Sequence, residues 1–219
     1  MENMSYIIFI CITVPMLFLL PIIRDRSARV IVGYMICGLF CCLLVSEING
    51  ILLNLFGNDY VYVTTTITPI SEEIIKALPV LFFAFVVSDS REKLVAIGFA
   101  AGIGFAILEN MVILLQNVSS VSLFWALIRG FGSALMHGIC TGSIGLGLHF
   151  IHRKKKLFLP GSFAILVMAM IYHSIYNTLV QSEYRYFGFL LPLITFISIF
   201  IFGLSTYVKM QKKRKKKAA

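Results

Sequence analysis

The sequence predicts an all-α, polytopic membrane bundle of about seven transmembrane helices, with its N-terminus outside and its C-terminus cytoplasmic. Three observations predict it. Hydrophobic residues make up 59% of the chain and charged ones 13%, with a mean hydropathy of +0.92, whereas about a quarter of residues are charged in soluble proteins. The apolar residues fall in runs of roughly 20, the length that crosses a hydrocarbon layer. Every lysine and arginine except Lys76, Arg129 and Arg185 lies in alternate connections or in the C-terminal tail, as cytoplasmic segments do under the positive-inside rule. The 219 residues are read as one integral-membrane domain, 1–219, ending in a basic cytoplasmic tail at 209–219. That leaves no room for a separate soluble domain.

The first run, 6–23, lacks the basic leader and small-residue cleavage site of a signal peptide and carries Arg24, Arg26 and Arg29 after it, so it reads as a retained span. Pro15 and Pro21 bend it or mark its end. The second span is 30–45, extending as far as Leu55 if Glu47, Asn49 and Gly50 do not end it. Gly57 to Tyr62 is a turn with interfacial tyrosines. The third span, 67–87, is followed by a short charged loop at 88–93. In the fourth, 94–115, Gly98 and Gly102 are four apart, a spacing that lets helices approach closely. A fifth stretch, running to Phe150, exceeds the length of one span, and with Arg129 snorkelling to the outer boundary the crossing becomes 130–150. A basic cluster at 153–156, a sixth span at 158–180 and a seventh at 186–208 complete the chain.

The net charge of +9 does not point to nucleic acid, because the basic residues form short blocks explained by orientation and by contact with anionic lipids. Cys11, Cys37, Cys41, Cys42 and Cys140 all lie in apolar runs without a CxxC pair. They support neither a disulfide framework nor a zinc site.

What the apolar runs do not explain is their ionisable residues. Ser71 to Lys76, SEEIIK, sits inside the third span, and charges there normally face a bundle interior, where they pair or do chemistry. Glu109 with Asn110, His137, and His173 with Asn177 repeat the anomaly. Counting inward at 1.5 Å per residue places Glu72, Glu109, His137 and His173 each about 8–10 Å below the outer surface. Groups from four helices at one level are what a site in the bundle core requires. Glu73 and Lys76 are i,i+3 and Glu72 and Lys76 are i,i+4, so one carboxylate can be ion-paired while the other points about 100° away. His173 shares a face with Asn177, His137 with Thr141, and Phe105 with Glu109.

A carboxylate in a low-dielectric pocket holds protons more tightly than in water, which suits it to take one from a water molecule. His173 and Asn177 carry N–H groups for an oxyanion. The set therefore reads as glutamate-dependent hydrolysis inside the membrane, with neither a serine nor a cysteine nucleophile. Simpler readings stand beside it: EExxK as a salt-bridged helix face, a lone histidine as an interhelical hydrogen-bond partner, Glu109 and Asn110 as a structural pair, Arg129 and Arg185 as snorkelling anchors. Two glutamates and two histidines also form a zinc-type donor set, a minority reading because nothing resembles HExxH and Lys76 opposes a cation. A proton-coupled transporter using the same groups would spread them across the whole bilayer, whereas here the inner halves are nearly free of charge.

SEEIIK at 71–76, GFAILEN at 104–110, His137 and HSIYN at 173–177, in that order on successive spans, resemble the PrsW family of bacterial membrane proteases. That family shares a superfamily with the CAAX prenyl endopeptidases and the ABI immunity proteins. The resemblance covers roughly residues 64–178 and implies a glutamate-type peptidase of the bacterial cell membrane, without a cofactor. It would make the first, extracytoplasmic cut in a single-pass membrane anti-sigma factor, activating an extracytoplasmic-function sigma factor in a stress response. It implies that Glu72 and Glu73 activate water and that His173 and Asn177 support the oxyanion, with Lys76, Phe105 and Asn110 in supporting places. The CAAX second motif ends in histidine where this chain has Glu109, which leaves Glu109 and His137 as the candidates to share the water with Glu72. A non-enzymatic ABI-like immunity protein is the remaining alternative.

Overall fold

A computed structural model describes residues 4–150 and 155–218, with side chains for 4–150, 156 and 159–203. The side chains of most of the basic cluster and of the tail from Lys209 lie outside the described residues. Seven long helices follow one another: α1 (Met4–Leu19), α2 (Arg26–Leu55), α3 (Thr68–Val86), α4 (Arg91–Gln116), α5 (Leu123–Leu148), α6 (Lys155–Val180) and α7 (Arg185–Ala218). Among the described residues there is no strand. α2, α4, α5, residues Leu159–Val180 of α6 and Arg185–Gly203 of α7 are each long and apolar enough to cross a membrane. α1 has 16 residues with Pro15 inside it, and α3 carries Glu72, Glu73 and Lys76 within its 19. Phe18, Phe82, Phe131, Phe163 and Phe200 stand exposed on the outside of the bundle. So much exposed apolar surface suits a bilayer and not water.

Local chemistry sets the helix ends. Asp25 caps α2 by accepting from the Ala28 N–H, and Ser122 caps α5 by accepting from the Trp125 N–H, each satisfying an otherwise unpaired donor. Glu47, Asn49 and Gly50 do not interrupt α2, which runs on to Leu55 because polar side chains at its exposed end cost little. Gly57 and Asn58 then turn the chain at positive φ, 66° and 61°. A single helical turn, Tyr60–Tyr62, leads into a wider π-helical segment, Val63–Ile67, in which the Thr68 N–H donates to the Val63 carbonyl. π-segments are uncommon and frequently accompany functional sites.

α4 is the central helix, with α5 along one side and α2 along the other. Gly98 and Gly102 press against the backbone of α5 at Thr141 and His137, and Gly104 presses against α2 at Met35. Small residues allow this approach, which dispersion forces reward in a membrane where apolar burial gains nothing. Two apolar clusters result. One, with Val80, Phe83, Leu94, Ile97, Ile144 and Leu148, fills the end of the bundle nearer the Arg91 end of α4. The other joins α1, α2 and α4 through Phe9, Leu39, Val45 and Phe105.

Because a Cβ at Gly102 would overlap the carbonyl of His137, Gly102→Val will separate α4 from α5, at a cost of about 1–3 kcal/mol for overpacking. The thermal midpoint of the detergent-purified protein should fall, while Gly33→Ala, which meets nothing within 4 Å, should leave it unchanged.

Candidate active site

The ionisable residues of α3, α4, α5 and α6 meet inside the bundle. The two adjacent carboxylates of α3 part company. Glu73 is fully buried and its Oε1 accepts from Lys76 Nζ at 2.7 Å and from His173 Nδ1 at 2.8 Å. Glu72, one position round the helix, lies against His173 Nε2 at 3.6 Å and lines a cavity of about 610 Å³. Lys76 also reaches His137 Nδ1 at 2.7 Å and sits over the Phe105 ring, 4.5 Å from its centroid.

These partners fix the imidazole tautomers. An ammonium only donates, so His137 Nδ1 accepts from Lys76, and its Nε2–H donates to Glu109 Oε2 at 3.2 Å. A carboxylate only accepts, so His173 Nδ1–H donates to Glu73. The neutral His173 ring then turns the lone pair of Nε2 toward Glu72 Oε2. Both of these atoms are buried without a hydrogen-bond partner. Two acceptors 3.6 Å apart call for something that gives to both: a shared proton, a water molecule with its two O–H groups, or a cation.

The cavity runs from this point to the end of the bundle formed by the loops between α2 and α3, α4 and α5, and α6 and α7. Thr64, Gln116, Trp125 and Gln181 line it there. Glu72 and Glu109 are its innermost charges, the Glu109 side chain being 22% exposed. His137, His173, Glu73 and Lys76 lie behind them, closed from solvent. Asn177 lines the cavity but its Nδ2 donates to the Thr64 carbonyl at 2.9 Å, while Ser174 Oγ donates to the Thr65 carbonyl. Gln181 is joined to Thr64 Oγ1 at 3.1 Å. Ser174 and Asn177 on one face of α6, with Gln181 just past its end, tie the π-segment to it. His173 Nε2, unprotonated in this tautomer, has no proton to give, and one of the two Asn177 Nδ2–H groups is taken by Thr64 while its side chain lines the cavity. Asn110 is buried on α4 but is not among the residues lining the cavity.

Arg129 corrects the sequence reading. Instead of snorkelling to the surface it is only 8% exposed, with Nη2 3.6 Å from Glu109 Oε2 and its guanidinium carbon 5.9 Å from the centroid of the Trp125 ring. α5 accordingly begins at Leu123, and the crossing is not confined to 130–150. A carboxylate and an aromatic face inside the bundle hold the cation where hydrocarbon alone would have expelled it. Ser133, fully buried, donates to the same Glu109 oxygen at 3.2 Å. The signal was present in the sequence: Arg129, Ser133, His137 and Thr141 recur every four residues along one helix face.

Glu72, His137 and His173 each offer a ligand atom within 4.8 Å of the others. Unpartnered Glu72 Oε2 and His173 Nε2 suit a divalent cation, and the paired nitrogens of His137 make it a third donor only if one present partner is released. The residues therefore fit a metal ion as well as a bridging water.

A carboxylate–imidazole centre enclosed by membrane-spanning helices, reached by one cavity from one end of the bundle, defines the class of intramembrane hydrolases. The chain belongs to the PrsW family: the family model described as PrsW family intramembrane metalloprotease matches residues 26–204. It is a multi-pass membrane protease. No curated protein and no solved structure matches it.

Removing Lys76 would leave the buried charge of Glu73 without a countercharge, facing only the neutral His173 N–H, and breaking a buried ion pair in this way costs about 3–5 kcal/mol. Lys76→Met should therefore lower accumulation and the thermal midpoint, and adding Glu73→Gln should recover most of the loss.

Proposed function

We propose that this protease hydrolyses a peptide bond of a single-pass membrane protein close to the outer face of the bacterial cell membrane, with Glu72 as general base. The carrying observation is the facing pair of unpartnered acceptors, Glu72 Oε2 and His173 Nε2. A water donating to both presents its own lone pairs to the cavity. Glu72 takes a proton as the oxygen attacks the substrate carbonyl, and returns it to the departing amine as the C–N bond breaks. General-base catalysis of this kind is worth roughly 10²–10⁴-fold. His173 is locked by Glu73. Glu109, held by His137 and Ser133, is the second carboxylate at the cavity.

The outer side is supported by the distribution of basic residues, which favours an exterior N-terminus, a cytoplasmic C-terminus and a cavity mouth on the exterior face. Seven crossings, including α1 and α3, complete that topology, and anionic lipids meet the basic connections. The family resemblance supports an anti-sigma factor as substrate and a first-cut role in stress signalling. Transport is disfavoured because the apolar cluster around Phe83 and Ile144 closes the far end of the bundle.

A second reading rests on the ligand-distance cluster. A divalent ion would be held by Glu72 and His173 with His137 as third donor, and when bound it would supply Lewis-acid activation of the water. The proposal predicts that Glu72→Gln and His173→Ala each abolish cleavage of a co-expressed single-span substrate, by about two orders of magnitude or more, while the protein still accumulates. Full cleavage by both variants would remove it. Cleavage by purified protein that survives exhaustive chelation favours the bridging water. Activity lost to the chelator and restored by one added divalent ion favours the metal.

A further inference from the structure

Arg129 has a donor the hydrolytic machinery described so far does not use. It is nearly buried in the cavity wall, and its Nε–H has no acceptor. Its partner Glu109 is already served on the same oxygen by His137 and Ser133, both at 3.2 Å. The guanidinium stands 3.6 Å away, beyond hydrogen-bond range, with Trp125 flanking it. A buried cation so placed is short of an acceptor. The occupant it suits arrives neutral: a carboxylate or phosphate would bring a permanent charge against Glu109, whereas a carbonyl oxygen takes up charge only as the bond to water forms, with Glu109 already held by His137 and Ser133. Peptide hydrolysis supplies such an atom; His173 has no proton on Nε2 to offer it, and one of the two Asn177 Nδ2–H groups is already given to Thr64.

We propose, resting on the protease reading above, that Arg129 is the oxyanion donor. As the water oxygen bonds to the substrate carbonyl carbon, the C=O pair moves onto oxygen and its negative charge falls against the guanidinium. When the pair returns, the C–N bond breaks and the amine leaves with the proton Glu72 had taken. Preorganised donors of this kind act on the transition state and not on substrate affinity.

The test uses the full-length protein in lipid nanodiscs and a fluorogenic single-span substrate. Arg129→Lys keeps the charge opposite Glu109 but loses the planar fork. It should accumulate normally, with kcat lowered by about 10²–10³-fold, the loss expected for one oxyanion donor, and KM little changed. Arg129→Ala should be slower still, and should recover activity with added guanidinium but not with methylammonium. Wild-type kcat in Arg129→Lys would overturn the assignment, as would a rise in KM alone. If Arg129→Lys does not accumulate, the rescue of Arg129→Ala decides: recovery with guanidinium supports the assignment and its absence overturns it. A wild-type chain that cuts no single-span substrate would remove the protease reading and this inference together. Cleavage by the wild type that Arg129→Lys matches would remove this inference alone.

Discussion

The buried contact between Glu73 and Lys76 governs the rest of the centre. Moving two charges out of water is costly, and mutual attraction offsets that cost only when every remaining lone pair and proton is also served. Here the service is done by histidines: Glu73 takes the N–H of His173, and Lys76 gives to His137. The ion pair thereby sets both tautomers, and with them the direction in which each ring faces. His173 aims its lone pair at Glu72, and His137 aims its N–H at Glu109. Glu109 is thus held from behind by His137, and Glu72 faces an imidazole lone pair whose direction is set the same way.

This geometry requires four helices to hold their relative positions closely. α4 and α5 do so through glycines at the contact, and Gly102 lies on the backbone that carries His137. On the other side the π-segment before α3 offers the carbonyls of Thr64 and Thr65 to Asn177 and Ser174, tying α6 to the entrance of the cavity. Apolar packing fills the opposite end. The cavity therefore opens at one end of the bundle and apolar residues pack the other.

The helical class, the membrane setting and the ionisable residues of the centre were legible in the sequence because a charge inside an apolar run is costly enough to need a reason. Hydropathy also located most helices, though not their ends: α2 continues through Glu47 and Asn49, and the π-segment has no compositional mark. Which of Glu72 and Glu73 takes Lys76 was not legible, since both spacings reach it. Their division depends on the position of α6, a tertiary fact. Arg129 was misplaced for a similar reason. Hydrocarbon rejects an arginine, and only the arrival of Glu109 from α4 and Trp125 from its own helix makes the interior acceptable. The stripe it forms with Ser133 and His137 could have been read from spacing, because a residue meant for the surface has no cause to share a face with buried polar ones.

The most direct measurement is magic-angle-spinning NMR of the full chain in bilayers, with 15N in lysine Nζ and the histidine rings and 13C in the glutamate carboxyls. Dipolar contacts from one glutamate carboxyl carbon to both a lysine Nζ and a histidine Nδ1, lost together in Glu73→Gln, are the predicted result. A spectrum in which Lys76 and His173 contact no glutamate carboxyl, or contact two different ones, would contradict a centre organised by a single buried ion pair.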